Sequence, residues 1–305
     1  MKSAFFLLLI KNIILIFFFT VQFMKPSAKK VQDKYEIKEH QSIELLKELH
    51  ILTRDGKMNQ DSRRKLKQVY HLVQFIEPII ESLLSQQAKV QLVDFGSGKS
   101  YLGFILYDLI AKLQSKPLEI IGIELRKDLV DYCQALASKL EFNSMSFHLL
   151  STDEAIQSDA LPTELDLVTA LHACNTATDD AIRFALAKNV QHLVLVPCCQ
   201  AEVASFLRKK KSIEGEDSYL AQIWRHPIHS REFGSHITNV LRTLQLESHG
   251  YKVTVTELVG WEHSMKNELI VATKGLNSKQ QLKAHQDLKT LLNKLHLTEL
   301  EERFS

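Results

Sequence analysis

The segment from Val90 to Glu124 constrains this chain more than any other. An apolar run, Val90-Gln91-Leu92-Val93, opens into Asp94-Phe95-Gly96-Ser97-Gly98-Lys99-Ser100; a helical pattern follows, and then Ile120-Ile121-Gly122-Ile123-Glu124. This reads as a β-strand, a glycine turn, a helix and a second strand that ends in a carboxylate. Glycines let the main chain approach a ligand where any Cβ would clash, and an acid about thirty residues on can accept hydrogen bonds from both hydroxyls of a ribose. The pattern points to an adenosine-bearing ligand held at one end of a parallel sheet.

Spacing separates three nucleotide-binding folds. A P-loop needs G-x-x-x-x-G-K-[ST]; Gly98-Lys99-Ser100 supplies its end, but Val93 stands where the first glycine belongs. A dinucleotide fingerprint needs a third glycine at position 101, which is Tyr101. An acid two positions before G-x-G, as Asp94 stands here, resembles the first motif of class I S-adenosylmethionine-dependent methyltransferases. That cofactor has no phosphate and carries a sulfonium cation, beside which a carboxylate is electrostatically favoured.

At 305 residues and 45% apolar content the chain can bury a full core. Cys133, Cys174, Cys198 and Cys199 form neither a C-x-x-C pair nor a zinc spacing, so free thiols in a reducing compartment and no metal are expected. Ala4 to Phe23 is nearly all apolar, broken by Lys11-Asn12, and no small-residue cleavage site follows. Two readings stay open. The run is a membrane anchor, with Lys25, Lys29 and Lys30 holding the downstream side in the cytoplasm, or synthesis starts at Met24 and residues 1–23 are a mis-assigned start. On either reading the globular part is cytoplasmic. Without residues 1–23 the formal charge falls from +2 to zero, yet Lys25 to Lys67 holds twelve Lys/Arg against seven acids. A basic arm of this kind can follow a phosphate backbone, although charged helical faces are commonly just solvated.

The expected organisation is a hydrophobic segment at 1–23, a helical cap at 24–87, the main domain at 88–275 and a C-terminal helix at 276–305. In the cap, Ile43, Leu46 and Leu49 and then Leu66, Val69, Tyr70, Val73 and Ile76 recur at helical spacing, with Asp55-Gly56 as the break. Further strands are expected at Met145–Leu150, Leu165–Leu171, His192–Val196, Lys252–Val259 and Glu268–Thr273. Helices are expected from an N-cap at Thr178, over Ala201–Lys211, and from Ile237 to His249, with irregular chain around Trp224, His226, Pro227, His229 and Phe233. The alternation predicts a Rossmann-like α/β fold, a seven-stranded, mostly parallel sheet with an antiparallel last strand.

Ligands of such sheets lie beyond the carboxyl ends of the strands. This selects Asp94, Gly96, Ser97, Gly98, Glu124, Asp153 and Leu171 for cofactor binding. Asp153 would take the adenine amino group or, equally, cap the helix after it. His172, Cys174 and Cys198 are the candidates for chemistry: the histidine as a general base, the cysteines as thiolates attacking a pyrimidine ring. Each has a plainer reading, since cysteines at strand ends are commonly buried packing groups and His172 could brace Asp179 or Asp180. No Asn/Asp-Pro-Pro-Tyr/Phe motif follows the fourth strand, which disfavours methylation of exocyclic base amines.

Asp94 to Leu102, the stretch Leu171-His172-Ala173-Cys174-Asn175-Thr176-Ala177-Thr178-Asp179, and Pro197-Cys198-Cys199-Gln200 together resemble one methyltransferase domain. It is shared by a group of methyltransferase-like proteins, the glutathione S-transferase C-terminal-domain-containing protein and the eukaryotic tRNA 2′-O-methyltransferase of the acceptor stem. The likeness spans about residues 65 to 275. It implies S-adenosylmethionine binding at Asp94, Gly96, Gly98 and Glu124, with RNA as a substrate. Asn175 stands where the family usually has glycine, Gln200 where the tRNA enzyme has histidine, and that enzyme's flanking zinc modules are absent, which counts against its particular substrate. Two other readings are a methyltransferase of proteins or small molecules, favoured by the near-zero overall charge, and a non-catalytic cofactor-binding scaffold.

Overall fold

Strand β1 (Val90–Phe95) is buried at all six positions, so its side chains must be covered on both faces of a sheet. A computed structural model describes residues 30–114, 116–171, 175–197, 201–214, 223, 225–258 and 268–305. The described residues divide into two units, the first ending at Lys67 and the second running over Gln68–Ser305. In the first, residues 30–35 are helical, α1 is Ile43–Glu48, and α2 (Gln60–Gln86) begins there and crosses the division. The Ser42 side chain caps α1 by accepting the N–H of Leu45 at 3.2 Å. As expected, Gly56 breaks the helical pattern, in a turn closed by Thr53 and Lys57.

In the second unit β1 is followed by α3 (Tyr101–Leu109), β2 (Leu118–Glu124), α4 (Lys127–Lys139), β3 (Met145–Leu149) and α5 (Thr152–Gln157). Next come β4 (Leu167–Leu171), α6 (Ala177–Ala187), β5 (His192–Val196), α7 (Glu202–Glu214) and α8 (Pro227–Ser248). The last elements are β6 (Tyr251–Glu257), β7 (Glu268–Lys274), α9 (Ser278–Lys294) and α10 (Glu301–Phe304). The seven strands lie in the order β3-β2-β1-β4-β5-β7-β6, and β7 alone runs against the others. This is the predicted topology. Leu92 pairs with both Ile120 and Leu167, so β1 occupies the middle of the parallel part.

Alternation along the strands sends Val93, Phe95, Ile121, Ile123, Val168, Ala170, Leu193 and Leu195 into one core with Ile182, Phe184 and Ala185 of α6. A second cluster joins Val203 and Leu207 of α7, Leu241 of α8, Leu288 and Leu292 of α9, and Phe304. The C-terminal segment, which the sequence could not place, thus packs on α8, as a helix followed by a short turn at Thr298–Leu300.

Three local expectations differ from the structure. Helix α6 starts one residue before Thr178, which is buried inside its first turn, and Thr176 is the N-cap. Ser151, not Asp153, caps α5, through a capping box with Glu154. Helix α8 begins at Pro227, ten residues before Ile237, because a proline at the first helical position has no N–H to leave unpaired. Among the described residues no helix is long and apolar enough to cross a membrane, and no group of His, Cys, Asp and Glu could hold a metal ion. Residues 4–23, Trp224 and residues 260–263 lie outside the described residues.

Candidate cofactor site

The turn after β1 is held from below. Asp94 is 2% exposed; its carboxylate accepts the hydroxyls of Ser100 at 3.0 Å and Thr169 at 3.2 Å. Burial pushes its pKa up from 3.8 to about 6, against the opposing pull of those hydrogen bonds. Gly96 and Gly98 have φ of +64° and +58°, the left-handed region that an L side chain enters only with strain. Ser100 accepts the same geometry at φ +48° as it starts α3, fixed there by Asp94.

Glu124, at the end of β2, closes the turn from the side. Its Oε2 accepts the main-chain N–H of Gly98 at 2.8 Å. Its Oε1 accepts the N–H groups of Leu125 at 2.9 Å and Arg126 at 3.1 Å, and the Arg126 Nε at 3.3 Å. Three of these donors converge on Oε1 and one on Oε2, so Oε2 keeps room for a further donor. The weakest of them belongs to Arg126, whose side chain is 65% exposed and is therefore the one a ribose hydroxyl can displace. Beneath the turn, Cys133 Sγ donates to the Gly98 carbonyl at 3.5 Å. Burial, with help from Asp94 and Glu124, pushes this thiol up to about 12, so it is packing and not a nucleophile.

Asp153 is exposed on the first turn of α5 and pairs with Arg183 of α6 at 2.6 Å. Leu171 ends β4 opposite Val196. The structure therefore gathers Asp94, Gly96, Ser97, Gly98 and Glu124 around one turn. His172, Cys174 and Cys198 lie outside the described residues. Of the two acids named above in the plainer reading of His172, Asp179 is bound by Arg242 and Asp180 pairs with Arg183.

The main feature that sequence reading missed is a buried polar stripe on α8, comprising Thr238, Asn239, Arg242 and Gln245. The signal was present as polar residues three or four apart on a face that also carries Leu241 and Leu246. Arg242 is fully buried and binds Asp179 with two nitrogens, Nε at 2.6 Å and Nη2 at 2.9 Å.

Residues 64–205 match the family model described as a methyltransferase domain. The strand order and the glycine–acid turn are those of the class I S-adenosylmethionine-dependent methyltransferase fold, and residues 64–205 are similar to the methyltransferase domain that the family model describes. A curated relative is the glutathione S-transferase C-terminal domain-containing protein homolog of Drosophila pseudoobscura pseudoobscura. It is 25% identical over 203 residues, 59% of this chain, and the matched part spans 32% of that relative's length. The chain is also similar, at low scores, to two solved structures. Magnesium protoporphyrin IX methyltransferase from Synechocystis PCC 6803 with S-adenosylhomocysteine bound is 13% identical, with a TM-score of 0.44, covering 75% of this chain and 94% of that one. The Methanococcus jannaschii fibrillarin pre-rRNA processing protein is 10% identical, with a TM-score of 0.40, covering 63% and 69%.

The residues fit the cofactor of this domain class. Two left-handed glycines leave a cradle free of side chains, and the Ser97 hydroxyl is buried there with no hydrogen-bond partner among the described residues. A buried polar group without a partner is costly, and a ligand is one way to satisfy it.

Proposed function

We propose that the protein transfers methyl groups from S-adenosylmethionine to RNA in the cytoplasm. The observation that carries the donor half is the bond from the Gly98 N–H to Glu124, which sets an acid and a glycine cradle side by side within a methyltransferase domain. Bound there, the cofactor supplies an electrophilic methyl group on a sulfonium. Gly96, Ser97 and Gly98 receive it through main chain and hydroxyl, Glu124 takes the ribose, and Asp153 and Leu171 flank the adenine. With a pKa of about 6, Asp94 is mainly ionised at neutral pH and adds a negative charge under the turn. His172 follows β4 in the sequence, and an imidazole there would take the proton that a hydroxyl or amine nucleophile sheds; Cys174 and Cys198 are the other candidates. Positioning of the nucleophile supplies much of the acceleration.

Support for RNA comes from the excess of Lys and Arg between Lys25 and Lys67 and from the family likeness. Surface acids take up part of that charge: Arg63 and Lys67 both pair with Glu36, and Arg64 with Asp61. The decisive experiment is transfer of labelled methyl into fractionated lysate with and without nuclease, beside calorimetry with S-adenosylhomocysteine. Label lost on nuclease treatment is expected. Label confined to protein or small molecules overturns the RNA half, and absence of binding heat overturns the donor half.

A further inference from the structure

Glu36 follows the helical residues 30–35 with a left-handed backbone, φ +57°, and its exposed carboxylate lies between two cations of α2. Arg63 Nη2 is 3.2 Å from Oε1 and Lys67 Nζ is 3.6 Å from Oε2. Arg63 and Lys67 stand one helical turn apart and share a face of α2, and Arg64 beside them pairs with Asp61.

Two further cations approach the same corner. Lys34 Nζ lies 5.1 Å from the centre of the Tyr35 ring. The Tyr35 phenol is drawn below its ordinary pKa by the Met58 main chain first, then by Lys34 and by the charge of Lys57. Lys57 in turn pairs with Asp55 at 2.9 Å. Lys34, Lys57, Arg63 and Lys67 thus gather around Tyr35-Glu36.

A carboxylate and a phosphodiester are both monoanions with two terminal oxygens, so what Glu36 does between Arg63 and Lys67 a backbone phosphate can do as well. The side chains of Arg63, Lys67 and Glu36 are 45%, 58% and 65% exposed, and ion pairs this open are weak enough to exchange. The surface offers little to a membrane. Among the described residues of this first unit no large apolar side chain is exposed, whereas a helix lying in a bilayer interface buries an apolar face.

We propose that this corner is a contact surface for the RNA backbone, and that Glu36 occupies in the free protein the place of a phosphate. Binding exchanges one anion for another at Arg63 and Lys67. This deepens the proposed function and rests on its RNA half. The sign of the Glu36 effect sets it apart from a merely structural bridge: removal of Glu36 frees two cations for RNA, whereas loss of a bridge that only ties the chain to α2 brings no gain.

The test uses the full chain and three variants, Glu36→Gln, Arg63→Ala/Lys67→Ala, and Lys283→Ala/Lys289→Ala. The last removes the same charge from two exposed, paired lysines of α9. Thermal denaturation and calorimetry with S-adenosylhomocysteine should match the parent in all three, because these side chains are exposed. Filter binding of bulk tRNA is read at about 50 and about 200 mM salt, beside sedimentation with phosphatidylserine vesicles.

Glu36→Gln should tighten tRNA binding by ~3–10-fold at the lower salt. Arg63→Ala/Lys67→Ala should weaken it by ~10-fold or more and reduce the salt slope by about 1.5. The α9 variant should stay within about twofold of the parent. Unchanged or weaker binding in Glu36→Gln would overturn the proposal, as would an equal loss in the α9 variant, or dependence on Arg63 and Lys67 that shows with vesicles and not with tRNA. If the parent binds no tRNA at the lower salt, this surface and the RNA reading fail together, while the heat of S-adenosylhomocysteine binding still decides the donor half. If tRNA binds through these residues but label goes only to protein, the surface stands and RNA as the methyl acceptor does not.

Discussion

The Glu124 carboxylate and the Gly98 main-chain N–H meet at 2.8 Å, so the acid that ends β2 shapes the turn that follows β1 before any ligand arrives. Replacing Glu124 by Gln puts a side-chain amide against several N–H groups that now find an acceptor. S-adenosylhomocysteine affinity should fall at least about tenfold, and stability by ~1–3 kcal/mol. Calorimetry and urea unfolding measure the two separately, and unaltered affinity would show that Glu124 serves the turn alone.

Gly98→Ala tests the cradle. A methyl group there meets nothing nearer than Arg126 Nη2 at 3.9 Å, so the penalty comes from the backbone at φ +58° and is about 1–2 kcal/mol. The variant should fold and should bind S-adenosylhomocysteine more weakly than this strain accounts for. Parental affinity would mean that the ligand leaves this space unused.

Arg126→Ala removes the donor that competes for Glu124. Because that guanidinium is mostly solvated, the effect should be small, a tightening of S-adenosylhomocysteine binding by ~2–5-fold. Weaker binding would instead show that Arg126 contacts the ligand.

Asp94 makes stability depend on pH. Its folded pKa, about 6, lies above the ordinary 3.8, so the folded state holds the proton more tightly. The stabilisation is therefore complete below about pH 4 and is lost as pH rises through about 6, a swing of roughly 3 kcal/mol. Asp94→Asn should abolish this slope. Urea midpoints at about pH 3 and about pH 7, roughly one unit beyond each end of the window, for parent and variant check it; parallel profiles would refute the assignment.

Helix α7 and helix α8 meet at Gly234, where an added Cβ would stand 2.7 Å from the Ala204 main-chain nitrogen and 2.8 Å from its Cα. Gly234→Ala must therefore push two helices apart. The expected net loss is about 1–3 kcal/mol despite alanine's better helix propensity, read as a lower urea midpoint.

The sheet was legible because its strands carry apolar residues on both faces; β5 was located to the residue, and β1 to β4 to within about two at either end. The glycine turn and Glu124 were legible because few other residues can make that bend. Asp94 was found for its place in the motif, but its burial beneath Ser100 and Thr169 depends on the β1–β4 pairing, which is remote in sequence. The start of α8 was lost because Gly234 interrupts the apolar pattern and His226, His229 and Ser230 resemble a loop. Arg242 was lost for a different reason: its partners, Asn175 and Asp179, are more than sixty residues away.

The thiol of Cys133, packed under Gly98 and pushed up to about 12, also has a practical use. Alkylating reagents consume thiolates, and at neutral pH this sulfur offers almost none. Any mass tag acquired by the folded chain must then map to Cys174, Cys198 or Cys199, which makes mild alkylation a selective reporter of the strand exits that flank the proposed acceptor.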